Sequence, residues 1–207
     1  MQDRSSVSSD SRVRPRVFYG WWIVLAGGIL NALAGGTYHS GLSVYFLPVT
    51  RDLGLNRAAT SLAYGLARLE GGIVGPLAGY LVDRLGPRTI ITVGGLLAGL
   101  GFFLLALTPN FTTFLLVYVG VLALGVHMGF NNGIMAAVNQ WFIRRSGLAM
   151  SITTLSIAVG GAVVTPAIAF MVLHWGWRPA AVMSGALIIA AVVPLSFVFR
   201  RSPESIG

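Results

Sequence analysis

Gly79-Tyr80-Leu81-Val82-Asp83-Arg84-Leu85-Gly86-Pro87-Arg88 closes one long apolar run and leads into another that opens at Thr89. One Asp and two Arg fall within six residues of a chain that is only 10% charged. Charge is expensive in hydrocarbon, so a cluster of it between two apolar runs belongs at a water-facing turn. The stretch therefore reads as a tight loop joining two membrane-crossing helices, and the rest of the chain is organised around it.

Composition points the same way. The 207 residues are 55% hydrophobic, with a mean hydropathy of +0.78. A soluble domain carries about a quarter charged residues. A lipid bilayer is the better solvent for this chain, and each crossing needs ~20 predominantly apolar residues. The 27 Gly suit close helix packing in a membrane. There is no Cys, which excludes disulfides and thiolate chemistry. The formal charge of +8 comes wholly from Arg, because the chain contains no Lys.

Six apolar spans follow, at about 18–44, 57–82, 89–107, 111–138, 147–172 and 179–199. Residues 1–17 are polar and rich in Ser and Arg, and read as a disordered cytoplasmic tail; 200–207 return to polar character. Phe18-Tyr19-Gly20-Trp21-Trp22 suits the headgroup boundary at the first entry. If the N-terminus is cytoplasmic, ten Arg (4, 12, 14, 16, 84, 88, 144, 145, 200 and 201) lie inside and three (51, 57 and 178) outside. That bias places both termini on the cytoplasmic side. The basic pI is then a topology signal with some attraction to anionic lipid, and nucleic acid is not an expected partner.

The chain also matches itself at an offset of 90 residues. Gly35 falls on Gly125, Ser61 on Ser151, Gly71 on Gly161, Pro76 on Pro166 and Gly95 on Gly185. Gly86-Pro87-Arg88 falls on Gly176-Trp177-Arg178. Each unit holds three spans, an odd number, so the second unit is inverted relative to the first. The expected fold is an all-α membrane protein of six transmembrane helices in two inverted three-helix repeats.

The form Gly-x-Leu-x-Asp-Arg-x-Gly-x-Arg at 79–88 resembles the cytoplasmic signature loop of the major facilitator superfamily of transporters. From Phe18 onward the chain resembles the N-terminal six-helix half of such a transporter. Three stretches are most similar to the monocarboxylate-porter and oxalate/formate-antiporter branch: Tyr19-Gly20-Trp21-Trp22, Trp141-Phe142-x-Arg144-Arg145-x-Gly147-Leu148-Ala149 and Gly176-Trp177-Arg178. The resemblance implies alternating access around a midplane site. It also implies that Asp83 accepts hydrogen bonds from a helix N-terminus across the inner gate, with Gly79 allowing close approach. Members usually have twelve helices, and residues 200–207 resemble the opening of a linker between halves. The chain is thus expected to be a truncated or split lobe, or to pair with a second six-helix half. The fourth span lacks the embedded Arg of many proton-linked drug exporters, which weakens that reading.

Candidate residues divide by position. Arg68 and Glu70 are the charges well inside a span, and Arg68 lies roughly 16 Å deep counted from Arg57. Two residues apart, they point nearly opposite ways, so one is expected to line an aqueous path and the other to pair with another helix. Asn31, Gly35 and His39 share a face of the first span, as His127 and Asn131 do of the fourth. They suit either substrate contact or interhelical hydrogen bonding, the latter favoured for His39. Gly71, Gly75 and Gly79 form a smooth stripe that serves a sliding seam or static packing equally well. Asp83, Arg84, Gly86 and Arg88 form the inner-mouth motif, and Pro76 and Pro166 are rocking points or tolerated kinks.

The functional expectation is secondary active transport of a small solute, an organic anion such as a monocarboxylate, in a bacterial plasma membrane, with protons as a candidate coupling ion. No cofactor, metal or catalytic residue is expected. There is no Gly-x4-Gly-Lys-[Ser/Thr] motif, so energy must come from a gradient. An intramembrane hydrolase is the enzyme-class rival; no Gly-x-Ser-x-Gly is present and the last two spans hold no internal His, which disfavours it.

Overall fold

The computed structural model describes residues 19–55, 57–142 and 145–199. The expected tail at 1–17, the polar end at 200–207 and Arg144 lie outside the described residues. Six long helices account for nearly all the rest: α1 (Gly20–Asp52), α2 (Arg57–Leu85), α3 (Pro87–Ala106), α4 (Phe111–Trp141), α5 (Ser146–Trp175) and α6 (Trp177–Ser196). Among the described residues there is no strand. Lipid offers no hydrogen bonds, so helices that satisfy their own backbone are the form such a sequence must take.

Five of the six are long and apolar enough to cross a membrane by length and composition; α2 is 29 residues long, but Arg68, Glu70, Asp83 and Arg84 dilute it. The sequence reading ends the first span at about Val44, ahead of Pro48, whereas α1 continues through Pro48 to Asp52. A proline removes one backbone hydrogen bond, while leaving the helix in hydrocarbon would strand several.

The 90-residue repeat is visible in the backbone. α2 ends at Leu85 and α5 at Trp175; α3 and α6 occupy matching bounds in the two units. A single residue joins each pair, Gly86 (φ 85°, ψ 153°) and Gly176 (φ 85°, ψ 168°). That region is essentially closed to residues with a Cβ, which is why both turns use glycine. α1 carries a π-helical turn at Gly35–His39, and α4 carries one at Val126–Gly133, across the equivalent position. Three helices per unit turn the second unit upside down.

Packing is closest along α3–α6, α1–α5 and α3–α4. A Cβ on Gly160 of α5 would overlap the carbonyl oxygen of Ala32 on α1. On the α3–α4 seam, Gly94 meets the backbone of Gly125 and Gly129. Side chains close the remaining space, with Phe102, Phe114, Phe130 and Tyr118 almost fully buried.

One polar cluster ties three helix ends together at the end of the bundle opposite Gly86. Asp52, closing α1, accepts from Arg178 Nη2 at 3.0 Å, from Arg178 Nε at 3.2 Å and from Trp177 Nε1 at 3.2 Å. Arg178 also donates to the carbonyls of Ala106 and Thr108 at 3.3 and 3.2 Å, where the C-terminus of α3 is electronegative. Its repeat counterpart Arg88 lies over the ring of Phe197, 4.7 Å from the centroid, beside the end of α6.

Two outcomes are expected in detergent. Gly86→Ala and Gly176→Ala each lose about 1–3 kcal/mol and lower the thermal midpoint, whereas Gly65→Ala, helical with open space around it, holds or raises it; equal midpoints for all three would refute the backbone argument. Arg178→Gln lowers the midpoint more than Asp52→Asn, because it also frees two helix-end carbonyls.

Candidate functional site

Three helices line an open-sided cavity of about 880 Å³, in which Arg68 is exposed. From α2, Tyr64, Arg68 and Gly71 contribute, spaced four and three residues apart on one helical stripe. From α1 come Tyr38 and His39, in the π-helical turn, with Leu42, Ser43 and Phe46 beyond it. From α4 come Tyr118, His127 and Asn131. The π turns matter because an added residue re-aims the side chains of a helix, here letting neighbours 38 and 39 both reach the cavity.

Rings form a continuous belt. Phe46 and Tyr64 lie 5.4 Å apart, Tyr64 and Tyr118 5.3 Å, and Tyr38 and Tyr118 6.1 Å. The Tyr38 ring stands edge-to-face with both imidazoles, His39 at 5.2 Å and His127 at 5.8 Å. Tyr64 donates to the carbonyl of Leu42 at 3.3 Å.

His127 is fixed from three sides. Asn131 Nδ2 lies within hydrogen-bond reach of its Nδ1, at 3.0 Å. Among the described residues its Nε2 is buried without a hydrogen-bond partner. The ring rests on the bare backbone of Gly71, where a Cβ would come within 2.7–2.8 Å of three ring atoms. Asn132 Nδ2 donates to the His127 carbonyl at 2.8 Å, covering an acceptor within the π-helical stretch.

Among the described residues, Arg68 is the one fully charged side chain in the lining, and no acidic residue joins it there. Among the described residues it forms no ion pair. The cavity is therefore cationic, with neutral donors around the charge.

The structure brings together Arg68, His127 and Asn131 and adds His39; it does not bring Glu70 or Asn31 to them. Glu70 sits in a separate apolar groove of about 540 Å³ between α2 and α4, and among the described residues neither carboxylate oxygen has a hydrogen-bond partner. Its position, two residues on from Arg68, turns it away from the cavity, as the helical wheel requires. Asn31 lies between α1 and α5, donating from Nδ2 to the Thr153 carbonyl at 3.3 Å. Gly71 packs on His127, but a Cβ on Gly75 or Gly79 would meet nothing within 4 Å, so no described neighbour lies against the side their Cβ would occupy. Pro76 and Pro166 lie inside α2 and α5, which run on through them. At the turn, Asp83, Arg84 and Arg88 are exposed, with the Arg84 guanidinium over Tyr80 at 4.7 Å.

The sequence model of the Major Facilitator Superfamily matches residues 24–207, nearly the whole described bundle. The chain belongs to the Major Facilitator Superfamily. Facilitator relatives include the probable L-galactonate transporter of Escherichia coli, 31% identical over 78% of this chain and 36% of that protein. Monocarboxylate transporter 6 of Mus musculus is 26% identical over 84% of this chain and 37% of its own length. The oxalate:formate antiporter of Oxalobacter formigenes is 25% identical over 87% of this chain and 42% of its own. The chain thus spans less than half the length of these facilitators, and its six helices are half of a facilitator fold.

Sequence reasoning missed the aromatic belt and the Asp52–Arg178 clamp. Tyr64, one turn from Arg68 on the same stripe, was the available signal. Tyr118 carried none, because π-helical stretches separate it from His127 and break the simple count.

Gly71→Ala is expected to insert and fold, since only the end of a side chain must yield, but to displace the imidazole. Nitrogen-15 NMR of His127 should change in shift, while Gly75→Ala leaves it unmoved.

Proposed function

We propose that this chain forms the substrate-binding half of a secondary transporter for small organic anions, monocarboxylates among them, working by alternating access. One observation carries the reading: among the described residues, the midspan cavity holds Arg68 without an ion-pair partner, with His127, Asn131 and tyrosines around it and no acidic residue in its lining. An Arg near the bilayer centre costs about 2.5–3.5 kcal/mol on insertion scales, so it persists where it faces water or an anion. Arg68 binds a carboxylate in the forked geometry that guanidinium favours. His127 and Asn131 form the adjoining wall, and a proton on His127 would add charge to the same cavity. The names of the monocarboxylate and oxalate:formate relatives agree with an anionic substrate.

A second six-helix unit completes the path in this reading. α2 and α5 present broad apolar faces, Leu62, Leu69, Ile73 and Leu77 on one and Leu155, Val159, Val163 and Phe170 on the other. Only 17% of the most apolar window of α5 is buried. Gly75, Gly79 and Asp83 lie on the exposed side of α2, where a partner helix end could meet Asp83. The membrane is a bacterial plasma membrane with both termini cytoplasmic, and the chain performs no chemistry on its substrate.

The test is uptake of labelled lactate, formate and oxalate into proteoliposomes, by the chain alone and with a separately expressed second half of a related facilitator. Transport in either arrangement that falls at least tenfold on Arg68→Gln supports the proposal. Activity in only the second arrangement identifies a lobe that needs its partner. Transport indifferent to Arg68, or selective for cations, would overturn it.

A further inference from the structure

The cavity is chemically graded along α2. Tyr64 and Arg68 lie on one stripe about 6 Å apart along the helix axis. Arg68 supplies a fixed positive charge. One turn away, Phe46 and Tyr64 make a concave corner, their rings 5.4 Å apart and inclined at 39°. Both side chains are only partly buried, so ring surface remains for a ligand. The Tyr64 hydroxyl is already bonded to the Leu42 carbonyl, which turns the ring rather than the hydroxyl toward a ligand. Behind this corner Tyr118 is almost fully buried and stacks on Phe114 at 5.6 Å and 2°, so the wall is rigid. A small aliphatic acid would engage Arg68 and leave the corner wet. An acid with a planar ring one or two carbons from its carboxylate reaches both.

We propose that the cavity selects arylalkyl monocarboxylates, the carboxylate held by Arg68 and the ring seated in the corner of Phe46 and Tyr64. The inference rests on the anion-transport reading and narrows its substrate class. Inclined and edge-to-face ring contacts add stabilisation beyond burial of area, which translates into about a fivefold preference for an aromatic over a saturated ring of similar size. His39 and His127, both edge-to-face with the Tyr38 ring, add further ring surface to the lining.

The test uses the full chain in lipid nanodiscs, with saturation-transfer NMR and equilibrium dialysis against 3-phenylpropionate, 3-cyclohexylpropionate, propionate and phenethylammonium. The expected order is 3-phenylpropionate about fivefold tighter than 3-cyclohexylpropionate, both tighter than propionate, with phenethylammonium unbound. Saturation should be strongest at the phenyl protons. Tyr64→Leu brings the ratio of phenyl to cyclohexyl acid to about one; Phe46→Leu does the same and serves if the first variant fails to insert. Arg68→Gln weakens all three acids. Equal binding of the two ring acids, or a ratio unmoved by both Leu variants, would overturn the ring corner and leave the anion reading standing. Phenethylammonium bound in place of the acids, or no acid bound at millimolar concentration, would overturn both.

Discussion

Backbone-to-backbone contact through glycine is the constraint on which this bundle depends. Lipid tails are as apolar as leucine, so burying side chains against one another gains little, and association rests on intimate van der Waals contact. The Gly160–Ala32 and Gly94–Gly125–Gly129 approaches supply it, and both lie where no side chain larger than hydrogen fits. Those seams fix α1 against α5 and α3 against α4, and the approach of Gly185 to the Gly99 carbonyl sets α6 against α3. α2 is left as the loosely held member, its outer face exposed among the described residues at Leu62, Leu69, Ile73 and Leu77.

That arrangement explains where charge is tolerated. Arg68 sits on the helix whose inner stripe borders a cavity, so its guanidinium is solvated without crossing a packed seam. The clamp at Asp52 solves a different problem. Arg178 gathers one carboxylate and two helix-end carbonyls, so that the ends of α1 and α3 and the start of α6 share one cation. A half-exposed ion pair alone contributes little, and the carbonyl bonds give this one its structural weight.

Much of this was legible in the sequence for definite reasons. The 79–88 loop announced itself by charge between apolar runs, and the repeat announced itself because Gly86 and Gly176 must both adopt a conformation that other residues avoid. Arg68 and Glu70 point apart as helical geometry requires, but the expected pairing of the second charge with another helix is not seen: among the described residues Glu70 has no hydrogen-bond or ion-pair partner, because it faces an apolar groove. The site was less legible. Asn31 and Asn131 look alike in sequence, yet one bonds the α5 backbone and the other a cavity imidazole. Spacing places a residue on a face but does not say which neighbour that face meets. The π-helical turns add to the difficulty, since residues 118, 127 and 131 lie on one wall only after they have shifted the count.

The repeat also explains why the cavity lies where it does. Under the 90-residue offset the pair α2–α4 corresponds to α5–α1, and the two pairs have opposite uses. Arg68 corresponds to Ala158, His127 to Thr37, Asn131 to Gly41 and Tyr118 to Gly28. Glu70 corresponds to Gly160, the residue that lets α5 touch the carbonyl of Ala32. One pair has kept small residues and closed into the tightest kind of seam. The other has taken large, polar and aromatic ones, which hold α2 away from α4 and open the cavity between them. Gly71 and Gly161 stay glycine in both because each must admit a polar side chain, His127 in one and Ser40 in the other. The 90-residue repeat makes the frame near-symmetric, and the symmetry is broken on one side, where the cavity opens, while the other side packs backbone against backbone.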